Sequence, residues 1–222
     1  MLTVKGLIFD LDGVITDSAE YHYQAWKNLA EKLGIQIDRE FNEQLKGISR
    51  MDSLERILVY GNVADQYSEA EKEILAAEKN NEYVELIKDI TPKDLLPGIG
   101  QLLHEAKAAG IKLALASASK NGPMILARLE IAALFEQVVD PSLLAKGKPD
   151  PEIFMRGAEQ LALSPEVCVG IEDAEAGISA INAAGMFSVG VGDEESMKAA
   201  NYRVRDTSEL TLAKIIQAWE NK

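Results

Sequence analysis

The stretch KGLIFDLDGVITD, from Lys5 to Asp17, is the part of the chain that most strongly indicates its fold and its functional residues. Its apolar run Leu7–Phe9 predicts a short strand that is buried on both faces. Two aspartates, Asp10 and Asp12, follow that run. A buried charge costs far more free energy than burial of an apolar side chain returns, so both carboxylates must lie at the carboxyl tip of the strand, where a cation or a ligand compensates them. Taken alone, the pattern also fits a strand followed by an ordinary turn rich in Asp and Gly.

Length and composition limit the possible classes of protein. The chain has 222 residues, of which 47% are hydrophobic and 27% charged, enough for one large domain or for a domain with a smaller insert. A formal net charge of −13 argues against a nucleic-acid or membrane-surface partner. The single cysteine, Cys168, excludes an internal disulfide and lies in an apolar run, which predicts a buried structural thiol. With no signal pattern or membrane-length apolar stretch, we expect a soluble cytoplasmic protein, and nothing demands more than a monomer.

Two regions of the chain differ in pattern. From about residue 17 to residue 90 the spacing indicates helices only, with helix starts of the capping-box kind at Asp17–Glu20, Ser49–Asp52 and Ser68–Glu71. From Pro97 onward, apolar strands alternate with helices, which is typical of a parallel α/β sheet. The sequence therefore predicts a Rossmann-like α/β core, residues 1–16 and 92–222, with an inserted all-α domain at 17–91. The strands are expected at 111–116, 137–139, 167–171 and 186–189, and the later helices near 99–110, 123–130, after Asp150–Pro151, 174–184 and 208–219.

Polar side chains follow the predicted strands at their carboxyl ends, where ligands bind in open α/β sheets. They are Asp10 and Asp12, the segment Ser117–Asn121, and the pair Glu172–Asp173, with Lys148 in a connecting loop. Clustered carboxylates repel one another, so such a group is stable mainly when it holds a hard divalent cation. Oxygen ligands of this kind fit Mg²⁺ better than zinc. Ser117 and Lys148 would then hold phosphate oxygens.

Together these motifs resemble the haloacid dehalogenase superfamily. The resemblance rests on D-x-D-G-V after the first strand, a Ser at the end of the next core strand, a Lys before Pro, and a late E-D pair, all in the right order. It covers the full chain, and the helical insert matches the cap domain of the first subclass of that superfamily. The resemblance implies a Mg²⁺-dependent enzyme that forms an aspartyl-phosphate.

The resemblance also implies a role for each motif residue. Asp10 would be the nucleophile and a metal ligand, and Asp12 the general acid/base, with its backbone carbonyl on the metal. Glu172–Asp173 would bind the metal, although acidic residues are also favoured at a helix N-terminus. Lys148 would offset the charge of the phosphoryl group and the nucleophile. On sequence alone Lys146 is a rival for that role.

Three longer strings are similar to sugar-phosphate mutases of the superfamily: residues 10–22, 44–50 and 116–123. They imply a set of substrate-binding residues, any of which could instead be an ordinary solvated or partly buried side chain. A bidentate Arg suits a phosphate better than a Lys does. The implied set is Ser18, His22, Trp26, Lys46, Gly47, Arg50 and Ser53 on the insert, with Ala118, Ser119, Lys120 and Asn121 in the core.

The function that follows is a phosphomutase acting on a small sugar phosphate. It would interconvert β-D-glucose 1-phosphate and glucose 6-phosphate through an aspartyl-phosphate and a bound β-glucose 1,6-bisphosphate. The helical insert would act as a lid that excludes water, with hinges near 16–17 and 91–92. Two alternatives stay open: a phosphatase of the same fold that hydrolyses the aspartyl-phosphate, and a non-catalytic sugar-phosphate-binding protein.

Overall fold

The computed structural model describes residues 3–221 of the chain. Within that range it has six β-strands and nine α-helices. The strands are β1 (Gly6–Phe9), β2 (Lys112–Leu115), β3 (Gln137–Val138), β4 (Cys168–Glu172), β5 (Phe187–Val191) and β6 (Tyr202–Val204). The helices are α1 (Ala19–Lys32), α2 (Arg39–Glu43), α3 (Arg50–Tyr60), α4 (Glu69–Leu86), α5 (Ile99–Ala108), α6 (Gly122–Arg128), α7 (Glu152–Gln160), α8 (Glu175–Ala183) and α9 (Leu212–Glu220).

The six strands form one sheet in the order β3-β2-β1-β4-β5-β6, and every neighbouring pair is parallel. Strand β1 lies between β2 and β4, and its last residue, Phe9, pairs with Leu115 on one side and Ile171 on the other. The apolar run Leu7–Phe9 is fully buried, as a central strand requires. The predicted α/β class with a parallel sheet is confirmed.

The chain divides into two compact units, one running to Asp17 and resuming at Ile90, the other spanning Ser18–Asp89. No strand occurs within the second unit, whose residues are all described, so the predicted helical insert is confirmed as an all-α segment. The predicted joins, 16/17 and 91/92, lie within two residues of those that the contacts give. The assignment of the two units as independent domains stays a prediction.

The helical unit has its own apolar core, and its helix starts differ in one place from those the sequence indicates. Ser49 and Ser68 accept hydrogen bonds from the backbone N–H groups of Asp52 and Glu71, as predicted. The start expected at Asp17 is wrong, because Ser18 is the N-terminal cap residue of α1 and makes no side-chain cap. Glu20 instead accepts two hydrogen bonds from the Arg39 guanidinium, at 2.7 and 3.0 Å. This core comprises Trp26, Leu29, Ala30, Ile35, Ile37, Phe41, Leu45, Leu54, Ile57, Leu58 and Ala76.

The α/β unit departs from the prediction at three elements. The last helix, expected near 208–219, spans Leu212–Glu220. Strand β6 was not predicted, because Tyr202–Val204 is a short edge strand that pairs only with β5 and has one buried residue of three. Helix α7 begins at Glu152 rather than at Pro151, and the Asp150 carboxylate accepts a hydrogen bond from the Glu152 N–H. Strand β6 is thus a missed edge strand, whereas the differences at the two helices concern only where each begins; every predicted strand is present.

Two smaller predictions concern Cys168 and membrane spans. The Cys168 thiol is buried and donates to the Ser164 carbonyl, and its burial raises the pKa of the thiol to about 11, as expected for an unreactive structural cysteine. Among the described residues, the longest helices are too polar to cross a bilayer.

A pair of neighbours on α7 tests the packing of the α/β core. Ile153 is 2% exposed and belongs to that core, whereas Met155 is 50% exposed. We expect Ile153→Ala to lower the free energy of unfolding by about 2–5 kcal/mol, because it leaves a cavity. Met155→Ala should change it by less than about 0.5 kcal/mol. Urea unfolding followed by circular dichroism measures both, and equal effects would contradict the placement of α7.

Candidate active site

Asp10 stands at the carboxyl tip of β1, at the centre of the sheet. Its backbone N–H donates to the Ile171 carbonyl at 2.9 Å, and the Ala116 N–H donates to the Phe9 carbonyl at 2.8 Å. These two bonds continue the ladders between β1 and its neighbours by one residue. The Asp10 backbone is therefore held by the sheet itself, and its side chain is only 5% exposed.

Lys148 joins the two buried carboxylates at this tip. Its ammonium nitrogen Nζ lies 2.6 Å from Asp10 Oδ1 and 2.7 Å from Glu172 Oε2. The Lys148 and Glu172 side chains are both fully buried, and the Phe154 ring lies 5.1 Å from Nζ. The ammonium and the two carboxylates thus meet where their side chains expose little or no surface.

The charges set the protonation of these groups. Burial alone lowers the pKa of Lys148, but the negative charges of Asp10 and Glu172 outweigh burial and raise it above its ordinary value. Burial, together with the Asp10 charge, raises the pKa of Glu172 to about 7, against the opposing influence of Lys148. Lys148 therefore stays protonated, and its single positive charge compensates both Asp10 and Glu172.

The geometry separates the two lysines that the sequence left as rivals. The Lys146 side chain is 72% exposed and lies 3.5 Å from Asp150. Lys148, two residues on, is the one that reaches Asp10. The choice depends on the path of the loop before α7, which residue types alone do not determine.

Asp10, Glu172 and Asp173 form a group that could hold a metal ion. One carboxylate oxygen from each lies within 4.8 Å of the other two. Glu172 Oε1 also accepts hydrogen bonds from the N–H groups of Asp173 and Ala174, which orients its carboxylate. Hard oxygen donors with excess negative charge fit a divalent cation such as Mg²⁺. The carboxylate of Asp12 is not in this group, and the predicted contact of its backbone carbonyl with the metal stays a prediction.

The segment after β2 places small polar groups beside this tip, since β2 is paired with β1. Ser117 is buried, and its Oγ accepts a hydrogen bond from the Ser119 N–H at 3.1 Å. Ser119 Oγ accepts in turn from the Asn121 N–H at 3.3 Å. Ala118 is partly buried and Lys120 is exposed. The loop is thus folded on itself by serine hydroxyls.

The helical unit contains a second polar cluster, around His22. The Lys79 Nζ lies 2.7 Å from His22 Nδ1, and the His22 and Tyr83 rings stack with centroids 3.9 Å apart. Lys79 is 2% exposed and lies over the Trp26 ring at 4.6 Å. Trp26 is itself 3% exposed, so it packs in the core of the unit. Its predicted contact with substrate stays a prediction.

Apart from Ser18, the remaining predicted residues of the insert lie in the first turn of α3 and just before it. The Arg50 guanidinium donates to Asn80 Oδ1 at 2.7 Å, and Lys46 pairs with Glu43 at 2.8 Å. Ser53 is buried, and its hydroxyl donates to the Ser49 carbonyl, as mid-helix serines often do. Gly47 has a positive φ of 71°, and Ser18 is buried at the start of α1. Lys46, Gly47 and Arg50 thus lie close in sequence on one loop and the following helix turn.

Lys79, Asn80 and Tyr83 were missed by the sequence reasoning. They lie in a helix rich in charge, where a lysine is normally solvated. The available signal was spacing: Ala76, Lys79 and Tyr83 recur at i, i+3 and i+7, which places all three on one face of α4. All three are buried.

These features fit a metal-dependent α/β enzyme: a central strand that ends in an aspartate, a buried lysine on that aspartate, and an acidic group able to hold a metal. A family model for haloacid dehalogenase-like hydrolases matches residues 4–185. The chain therefore belongs to the haloacid dehalogenase-like hydrolase family, and the resemblance found in the sequence motifs is confirmed.

Relatives in this family include phosphomutases and a phosphatase. The chain is 56% identical over 217 residues to the β-phosphoglucomutase of Bacillus subtilis, covering 98% of this chain and 96% of that protein. It is 29% identical to the phosphorylated carbohydrates phosphatase of Thermotoga maritima, covering 82% of each. The crystal structure of a β-phosphoglucomutase from Clostridium difficile superposes with a TM-score of 0.97 at 52% identity, covering 98% of both chains.

Removal of the Lys148 charge tests the buried cluster. We expect Lys148→Met to lower the free energy of unfolding by about 3–5 kcal/mol, because it leaves Asp10 and Glu172 buried without a cation. Mg²⁺ should raise the melting temperature of this variant more than that of the parent, since ion binding then replaces the lost charge. The matched control is Lys146→Met, an exposed lysine two residues away. If Lys148→Met left the free energy of unfolding unchanged in the presence of a chelator, the contact of Lys148 with Asp10 and Glu172 would be contradicted.

His22 gives the protein a defined dependence on pH. Burial, and then the charges of Lys79 and Arg50, lower the pKa of His22 well below its usual 6.5. The unfolded chain therefore binds a proton at His22 in a pH range where the folded chain does not. The contribution of His22 to stability should be fully present above the pKa of the histidine in the unfolded chain. As the pH falls below that pKa, the free energy of unfolding should decrease by at most about 1.4 kcal/mol per pH unit.

We expect His22→Gln to remove this component of the acid dependence. Melting temperatures of the parent and the variant, measured from about pH 8 to about pH 5, provide the test. The control is His104→Gln, which changes an exposed histidine on α5. Parallel pH profiles for the parent and His22→Gln would refute the assignment.

Proposed function

We propose that this chain interconverts β-D-glucose 1-phosphate and glucose 6-phosphate through an aspartyl-phosphate on Asp10, as a β-phosphoglucomutase. The observation that carries the chemistry is the contact of buried Lys148 with Asp10 at the strand tip. The choice of a mutase is supported by the 56% identity to the Bacillus subtilis enzyme of that name over nearly the whole chain. We propose further that the substrate is a free small molecule and that the protein acts as a monomer in the cytoplasm.

In this proposal Asp10 is the nucleophile. An Asp10 carboxylate oxygen forms a bond to the phosphorus of the 1,6-bisphosphate, and the bond from phosphorus to the sugar oxygen breaks. Lys148 stays protonated because of its two carboxylate partners, so it offsets charge on the nucleophile and the transferred group without exchanging a proton. Glu172 holds Lys148 from the other side.

The metal would be Mg²⁺, held by Asp10, Glu172 and Asp173 with the backbone carbonyl of Asp12. When bound, it supplies positive charge that neutralises the phosphoryl oxygens. The support for this ion is the all-oxygen donor set and its excess negative charge.

Asp12 is proposed as the general acid and base. It gives a proton to the sugar oxygen as the phosphoryl group moves to Asp10, and it takes the proton of the other sugar hydroxyl when the group returns. The proton is therefore conserved over the cycle, as is the phosphoryl group. The Ser117 hydroxyl would donate a hydrogen bond to an oxygen of the transferred phosphoryl group.

A mutase also needs contacts for the phosphate that is not being transferred. We propose that Arg50 and Lys46, with Gly47 and Ser53 nearby, serve this purpose on the helical unit, because an arginine fork suits phosphate. Asn80 would orient the Arg50 guanidinium through their hydrogen bond. From the α/β unit, the proposed residues are Ala118, Ser119, Lys120 and Asn121, and Ser18, His22 and Trp26 complete the set.

A sugar-phosphate phosphatase is the second candidate, because a relative that is 29% identical carries that description. Both activities use Asp10 and Asp12, so only the fate of the phosphoryl group separates them. The higher identity to phosphoglucomutases supports transfer to sugar over transfer to water.

The deciding experiment follows two products at once. Purified protein is given Mg²⁺, β-glucose 1-phosphate and a trace of the 1,6-bisphosphate, and glucose 6-phosphate and free phosphate are both measured. We expect glucose 6-phosphate with little free phosphate, and a loss of at least about 10³-fold in Asp10→Asn, which removes the nucleophile. Free phosphate as the main product would establish the phosphatase instead.

Arg50 tests the proposed contact with the phosphate that is not being transferred, which a mutase needs and a phosphatase does not. We expect Arg50→Ala to lower kcat/KM of the mutase reaction by about 10²-fold or more, since a charged hydrogen bond to phosphate is lost. The control, Arg56→Ala, removes an exposed arginine from the same helix that donates only to the Gln44 carbonyl. Unchanged mutase turnover in Arg50→Ala would show that the proposed phosphate contact is wrong.

A further inference from the structure

Two glycines lie against the two acidic residues at the end of β4. A Cβ atom on Gly177, in the first turn of α8, would lie 1.9 Å from Glu172 Oε2, 2.0 Å from its Cδ and 2.3 Å from its Cγ. A Cβ on Gly13 would lie 2.1 Å from Asp173 Oδ2. These distances are shorter than any real contact of a Cβ atom. Each carboxylate therefore occupies space that exists only because its neighbour has no side chain.

Glu172 has no alternative place at low cost. It is fully buried, and its two carboxylate oxygens already accept hydrogen bonds from Lys148, from the Asp173 N–H and from the Ala174 N–H. A displaced carboxylate would break these bonds and leave Lys148 with Asp10 alone. A buried polar group that loses its hydrogen-bond partners destabilises the folded protein, and a charged group does so more strongly.

The backbone of Gly177 does not itself call for glycine. It lies within α8 and is not among the residues with positive φ, in contrast to Gly13, whose φ is 75°. At an ordinary helical position alanine is favoured over glycine. The reason for glycine at position 177 is thus the space it leaves for Glu172.

We propose that Gly177 is a positioning residue for the metal site: its missing side chain lets Glu172 reach Lys148 and join Asp10 and Asp173. The identity of the ion rests on the proposed function, but the positioning does not. Residues that orient metal ligands typically contribute 10- to 100-fold to metal affinity. A side chain at position 177 would overlap the Glu172 carboxylate, so we expect it to lower metal affinity by a factor in that range.

The test compares Gly177→Ala with Gly100→Ala. Gly100 lies in the first turn of α5, and a Cβ there would find its nearest neighbour, Leu95 Cδ1, at 4.0 Å. We expect Gly100→Ala to keep or raise the melting temperature and to leave Mg²⁺ affinity unchanged in calorimetric titration with Mg²⁺ alone. Gly177→Ala should lower the melting temperature in chelator and weaken Mg²⁺ binding at least about tenfold.

The same substitution in a Glu172→Ala variant shows whether its effect depends on the Glu172 carboxylate. In Glu172→Ala the carboxylate is absent, so adding Gly177→Ala should no longer lower the melting temperature. The same fall in both backgrounds, or parental Mg²⁺ affinity in Gly177→Ala, would overturn the proposal. Should Gly177→Ala fail to fold, a folded double variant would support the proposal and an unfolded one would overturn it. Because no sugar phosphate is used, the result is independent of whether the mutase assay succeeds.

Discussion

The salt bridge of Lys148 with Asp10 and Glu172 is the interaction on which the rest of the site depends. It joins residues that are 138 and 24 positions apart in the chain. Buried ion pairs seldom stabilise a protein relative to apolar packing, because desolvation offsets the attraction. Stability alone therefore gives little reason to keep three buried charges at this point. The proposed function does give one, because it makes Asp10 a nucleophile that must stay charged beside a cation that keeps its proton.

The sheet makes this contact possible. Strands β1 and β4 are parallel and adjacent, so the residues that follow Phe9 and Ile171 come to the same edge. The same register brings the end of β2, and hence Ser117, beside Asp10. The loop before α7 supplies Lys148, and Gly177, in the first turn of α8, leaves room for Glu172. Backbone hydrogen bonds position the acids, and close packing then fixes how their side chains point.

Much of this arrangement could be predicted from the sequence, because the central strand and its charges obey strong physical rules. The apolar run before Asp10 and Asp12 predicts a buried strand with both carboxylates at its tip, and the apolar spacing of the insert is that of helices. The rest depended on tertiary contacts. Lys146 and Lys148 are the same residue type in one loop, and only the path of the chain separates them. Lys79 looked solvated because helix α4 is rich in charge, yet it is buried beside His22 and Trp26. Strand β6 is too short and polar to stand out.

The proposed function depends above all on one step, in which Asp10 carries the phosphoryl group. The most direct measurement is rapid acid quenching of the protein with Mg²⁺ and the 1,6-bisphosphate, followed by peptide mass spectrometry that locates the added phosphoryl group. We expect a phosphoryl group on Asp10 that is discharged when glucose 6-phosphate is added. A phosphoryl group on another residue, or turnover with no phosphorylated peptide, would contradict it.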